Sequence, residues 1–165
     1  MKTPSEKMRK ELGAKTMKLP ARRTVRSFAN GQKIDELLIN IIEEFQGSIV
    51  FTKGAKISKR SDSYSLDVIY GLNSDNNDIY FKNSMYAEQI PQTMYTFGES
   101  AEGDQFCIDG ITNEVYYWKH DAIEERVVLI AESFSEFMNS LVPDETIERE
   151  ALEKSKKVRG VDLDF

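Results

Sequence analysis

One cysteine, one histidine and one tryptophan are all that this 165-residue chain holds of those three residue types. A lone Cys107 excludes an internal disulfide and fits a reducing compartment, so the expected location is the cytoplasm. A zinc tetrad of Cys and His is out of reach, and neither CxxC nor HxxxH spacing occurs. No apolar run approaches the roughly 18 residues that span a bilayer. The basic start, MKTPSEKMRKELGAK, lacks the apolar stretch of a secretory signal. No GxxxxGK[ST] or GxGxxG is present to cradle a phosphate. The acidic loop NSDNND superficially resembles a calcium loop, but a loop begun at Asn73 places Ser84, not Glu, at its twelfth position. The expectation is therefore no metal, no cofactor and no membrane association.

What is present is an ordinary globular composition, 40% hydrophobic and 30% charged, enough for one domain with its own core. The charge is unevenly placed. Residues 1–33 carry 10 Lys and Arg against 2 Asp and Glu, a net of +8. Residues 61–153 carry 4 basic and 20 acidic side chains, a net of −16. Such a body repels nucleic acid and attracts basic partners, or it serves only solubility.

Periodicity gives the elements. Residues 1–33 read as a basic arm, partly mobile, in which SEKMRKELG forms a short helix capped by Ser5 and ended by Gly13. In KIDELLINIIEEFQG, Ile34, Leu37, Leu38, Ile41, Ile42 and Phe45 make one apolar helical stripe, with Gly47 as the left-handed cap. SIVF (48–51), YSLDVIYGL (64–72) and TMYTFG (93–98) read as strands, and YFKNSMYAEQIP as a short helix. DQFCID and VYYWKH flank GITNE and read as a hairpin. In SFSEFMNSL, Ser133 and Glu136 have capping-box spacing. DETIEREALEKSKK reads as a polar outer helix. The order of helix, strands and helices predicts an α+β fold with a central, mainly antiparallel sheet flanked by N- and C-terminal helices. One domain is expected over 34–157, with a tail over 158–165.

The stretch GDQFCIDGITNEVYYWKHD (103–121) gathers the scarce residues. A nucleophilic Cys107 requires a base in reach and a third group orienting it. His120, at the far end of the partner strand, is badly placed for that, so an inert buried thiol is the expectation. Tyr116, Tyr117 and Trp118 alternate along a strand. Aromatic strands that bind single-stranded nucleic acid sit in basic grooves, which this acidic region is not.

Several pieces, read in order, resemble the SMI1/KNR4 family of the SUKH superfamily: VIYGLN, then IPQTMYTFGESAEGDQFCID, NEVYYWKHD and ESFSEFMNSL, over residues 47–141. Its recurring residues map onto Gly103, Asp104, Trp118, His120, Ser133 and Phe134. Leu19-Pro20 and Asn30-Gly31 keep parts of the family's N-terminal pattern, although Gly47 fits the glycine turn before the first strand better. The resemblance implies an α+β binding module rather than an enzyme. Bacterial members are commonly immunity proteins that neutralise a toxin domain, often one acting on nucleic acid, and fungal members regulate cell-wall synthesis through protein partners.

Three readings follow: an immunity protein binding a cognate toxin domain, a regulatory adaptor with a cellular protein client, and an enzyme using Cys107 or His120. For the first, the toxin's phosphate-binding cleft is basic, so the partner-binding candidates are acidic side chains in loops and just after strands. These are Asp75, Asp78, Glu99, Glu102, Asp121, Glu124 and Glu125. Asp104 is a further candidate whose place beside Gly103 threatens to occupy it in the turn. Tyr86 and Tyr116 are the candidate aromatic anchors.

Overall fold

The computed structural model describes residues 3–16, 24–28, 31–72 and 76–144. Its clearest helix, α2 (Glu36–Phe45), is the one the apolar stripe predicts. Asp35 starts it, one carboxylate oxygen accepting from the N–H groups of Leu37 and Leu38 at 2.9 and 3.2 Å. Leu38, Ile41, Ile42 and Phe45 are buried beneath it. The left-handed residue at its end is Gln46 (φ 67°) rather than Gly47. Gly47 has another role. A Cβ on Gly71 would lie 2.3 Å from the Gly47 carbonyl carbon, so the two backbones pass with no side chain between them.

Seven strands form one sheet in the order β1 (Ala14–Thr16), β2 (Ile49–Phe51), β5 (Val68–Ile69), β6 (Met94–Glu99), β7 (Gln105–Asp109), β8 (Val115–Trp118), β9 (Val127–Ala131). Every neighbouring pair is antiparallel. β3 (Lys56–Lys59) and β4 (Asp62–Ser65) make a separate two-stranded sheet. With four helices among the described residues this is the α+β architecture expected from the sequence. The single strand predicted over 64–72 is instead divided between the two sheets, because the backbone changes partners between them. Leu66 N–H bonds to Ala55, and Asp67 N–H to Glu99.

One sheet face carries Phe97, Phe106, Ile108 and Tyr117 into the main core, which α2 and α4 (Phe134–Ser140) complete. Phe97 meets Phe134 and Phe137 edge-on at 5.1 and 5.4 Å. Ser133 caps α4, its hydroxyl accepting from Glu136 N–H at 3.0 Å. The Glu136 carboxylate takes the N–H of Glu132, one residue ahead of the expected capping-box partner. On the opposite face lies α3 (Ile79–Met85), joined to β6 by a side-chain amide. Asn83 donates to the carbonyl of Thr96 and accepts from its N–H, both at 2.9 Å, where the β6–β7 register shifts between Thr96 and Gly98. Beside it Ile90, Cys107 and Trp118 form a smaller cluster with Tyr86 and Met94.

Within the expected basic arm, the described residues 3–16 pack against the main core. Helix α1 (Pro4–Glu11) is capped by Thr3, not Ser5, with Pro4 in the first turn and Glu6 completing a capping box. Met8 and Leu12, four residues apart on one face, are fully buried in the main core. β1 then pairs with β2, Ala14 opposite Phe51. Lys7 donates to the carbonyls of Met138 and Asn139 at 2.9 and 2.6 Å, placing a cation at the negative end of α4. The basic residues had hidden this short apolar face. The expected polar helix beyond Asp144 and the tail 158–165 lie outside the described residues, as do Leu19, Pro20 and Asn30.

Candidate partner-binding site at one end of the sheet

The register of the predicted hairpin decides what its loops bring together. Gln105 lies opposite Trp118, so the loop before β7 and the loop after β8 leave the same end of the sheet. The first turns tightly: Gly103, at φ 93°, donates to Ser100, and Ser100 donates to the Asp104 carbonyl. It exposes Glu102. The second, 119–126, exposes Asp121, Glu124 and Glu125. Val68 is opposite Glu99, which brings exposed Asp67 to the same end, a residue with no distinguishing signal in the sequence.

Asp104 ties the two loops together. It is 8% exposed. One carboxylate oxygen accepts from the His120 backbone N–H at 3.0 Å and contacts its ring Nδ1 at 2.6 Å, while the other accepts from the Tyr117 hydroxyl at 2.9 Å. Burial works against the charge, yet the hydrogen bonds from His120 and Tyr117 outweigh it and hold this carboxyl below its ordinary range. Arg126 extends the chain of contacts, donating to the His120 carbonyl at 3.2 Å and lying over the Trp118 ring at 5.2 Å.

The other sequence candidates have internal partners or lie elsewhere. Asp78 is buried as the N-cap of α3, its carboxylate accepting from Tyr80 and Phe81 N–H. Glu99 pairs with Lys82 at 3.6 Å, both side chains largely buried. Tyr86 packs edge-on against Trp118 at 5.6 Å. Tyr116, half-buried on β8, bonds Glu114 at 3.1 Å. Asp75 falls outside the described residues. Asp78, Glu99 and Asp104 thus each have partners within the fold. Of the candidates, Glu102, Asp121, Glu124 and Glu125 are the exposed carboxylates at this end.

Three further features among the described residues bear on chemistry. Cys107 is fully buried opposite Tyr116, and burial pushes its thiol far up, out of the reactive range. Asp104, His120 and Asp121 each bring one ligand atom to within 4.8 Å of the others. The Asp104 oxygens accept from His120 and Tyr117. A cleft of about 520 Å³ lies between α3 and Arg26, Phe28 and Gln32, and the described residues that line it include no carboxylate, His or Cys. No helix among the described residues is long and apolar enough to cross a membrane.

Comparison with known proteins adds identity to this geometry. The chain is 33% identical over 94 residues to the SPbeta prophage-derived uncharacterized protein YokK of Bacillus subtilis (strain 168), which covers 56% of this chain and 48% of that protein. The chain therefore spans about half the length of the curated relative it matches. No solved structure matches it. The pattern of the SMI1 / KNR4 family (SUKH-1) matches residues 29–140, from just before α2 to the end of α4. With that span over most of its length, the chain belongs to the SMI1/KNR4 family.

Proposed function

We propose that this protein is a non-catalytic immunity protein that acts in the cytoplasm by binding a cognate toxin domain directly. The observation that carries the reading is the convergence of Glu102, Asp121, Glu124 and Glu125 at one end of the sheet, on two loops held together through Asp104. A toxin acting on nucleic acid has a basic, phosphate-binding cleft, and an acidic ridge both complements it and speeds encounter. Family membership supports the reading, since members are commonly immunity proteins. The buried Cys107 and the engaged His120 ring support binding rather than catalysis.

The test is coexpression with the product of the gene neighbouring this chain's, expressed as a candidate toxin domain. Protection of cells is the first readout, and the association rate of the purified pair is the second. Changing Glu102, Asp121, Glu124 and Glu125 together to Lys is expected to slow association by about tenfold or more at low salt, with the difference shrinking as salt rises. Unchanged rates and full protection would remove the acidic ridge as the mechanism. Absence of any complex, or of protection by the unaltered chain, would remove the immunity role itself.

A further inference from the structure

The cleft of about 520 Å³ beside α3 has walls that are tied together at both ends. At one end the Tyr80 hydroxyl accepts from the Arg26 backbone N–H at 2.6 Å and donates to the Arg26 carbonyl at 2.8 Å. At the other the Gln32 side-chain amide donates to the Gln92 carbonyl at 2.8 Å. Between these ties the α3 wall carries Ser84 and Ala87, whose short side chains leave the space open. Past α3 the chain turns back on itself, Ile90 N–H bonding Tyr86 at 3.1 Å and Met94 N–H bonding Pro91 at 2.9 Å. Those turns add Ile90, Pro91 and Met94 to an apolar lining. Phe28 completes it, only 8% exposed and fixed by ring contacts to Tyr80 at 5.8 Å and Tyr95 at 5.4 Å. An apolar cavity of this size with a few placed polar groups is the form that small-molecule sites take.

Arg26 is the one charged side chain among the described residues that line the cleft. Its guanidinium lies over the Tyr80 ring, 5.1 Å from the centroid. The ring is itself held by the backbone of the same arginine, so the group sits on a fixed platform. Stacking occupies the flat face of a guanidinium and leaves its N–H edge for a ligand. Among the described residues no carboxylate or carbonyl accepts from that edge. Glu43, which accepts from the Val25 N–H at 3.1 Å, does not line the cleft.

We propose that this cleft binds a small carboxylic acid with an aromatic or aliphatic body. Its carboxylate pairs with the N–H edge of Arg26 in two parallel hydrogen bonds, and its body lies on Phe28, Ile90 and Met94. A single cation in an otherwise uncharged lining matches one negative charge. A phosphate, carrying nearly two, would call for further cationic donors. The site is separate from the acidic loops, for Met94 opens β6 and Glu99, at the other end of that strand, adjoins them. The two surfaces differ in place and in sign, so this inference stands apart from the immunity reading.

Titration of the isotope-labelled full chain with phenylpropionate, followed by backbone amide chemical shifts, tests it. The comparison ligands are phenylpropionamide, of the same shape without the charge, and phenylpropylamine, of the opposite charge. The acid is expected to move the amides of Phe28, Ser84 and Ile90 saturably. It should bind about tenfold more tightly than the amide, the preference that a charge-assisted bidentate pair supplies. The amine should leave the three amides in place. Arg26→Gln should erase the preference for acid over amide, and Arg26→Lys, which keeps the charge without the planar fork, should restore it only in part. The same spectra report whether each variant is folded, and if Arg26→Gln disturbs them widely, the acid and amide comparison on the native chain decides. No saturable shift at the three amides overturns the proposal, as do shifts confined to other residues. So does equal affinity for acid and amide, or a preference for the acid that survives Arg26→Gln in a folded chain.

Discussion

One oxygen of Asp104 is held twice by the same residue, through the backbone N–H of His120 at 3.0 Å and its ring Nδ1 at 2.6 Å. An ionised carboxylate is the form that accepts both bonds, and its pKa is held down accordingly. A carboxyl with a depressed folded pKa contributes stability above its unfolded value, near 3.9, and loses it as pH falls through the folded one. Asp104→Asn should therefore cost about 1–3 kcal/mol at pH 7. Urea titrations from neutral to acid should show the gap between variant and native chain closing below about pH 4. A gap independent of pH would show that the charge of Asp104 is not what matters.

Trp118 is the largest side chain in the smaller cluster and only 1% exposed. It sits between Tyr86 and Arg126. Trp118→Ala should cost about 3–5 kcal/mol by denaturant titration. A cost below about 1 kcal/mol would place the ring outside any core.

The packing of α1 makes the N-terminus structural. Met8→Ala should cost about 2–5 kcal/mol, as a fully buried Met does. Removing residues 1–13 should lower the thermal midpoint sharply, since it strips Met8, Leu12 and the Lys7 contacts to α4 at once. A midpoint unchanged by the truncation would mean that α1 is an appendage.

Cys107 offers a chemical check on the same core. Its thiol is fully buried and raised by that burial, so an aromatic disulfide reagent should modify it only as fast as the protein opens. The rate should climb steeply in sub-denaturing urea. Immediate modification of the native protein would show a path to solvent that the packing does not contain.

Much of the fold is legible where local pattern and tertiary packing agree. The stripe of α2, the turn between β7 and β8 and the Ser133 cap follow from residues close in sequence. β9 carries no alternating signal in VVLIA: Val128 and Ile130 face the core while Val127 and Leu129 face out, and all four are apolar. Met8 and Leu12 were too few to mark a helix face amid so many lysines and arginines. For the site, the spacing of Asp104 and His120 was visible within a recognisable hairpin, but their bond depends on register. The internal roles of Asp78 and Glu99 depend on Lys82 and on the α3 cap, neither of which carries a sequence signature.

The two bonds between Asn83 and Thr96 have a consequence for how the chain assembles. β5 contributes only Val68 and Ile69 to the ladder, and Tyr70 bonds the Phe97 carbonyl as it leaves. Beyond that point one side-chain amide stands in for the missing strand, answering both the N–H and the C=O of a single residue. The seat of the helix is therefore tied to the register of the sheet. Were β6 to pair one residue out of step, the position that Asn83 matches would move, and a slip by one residue also turns each side chain to the other face. Misaligned pairing thus forfeits the helix's seat, and a correct one is rewarded by closing the second face of the molecule.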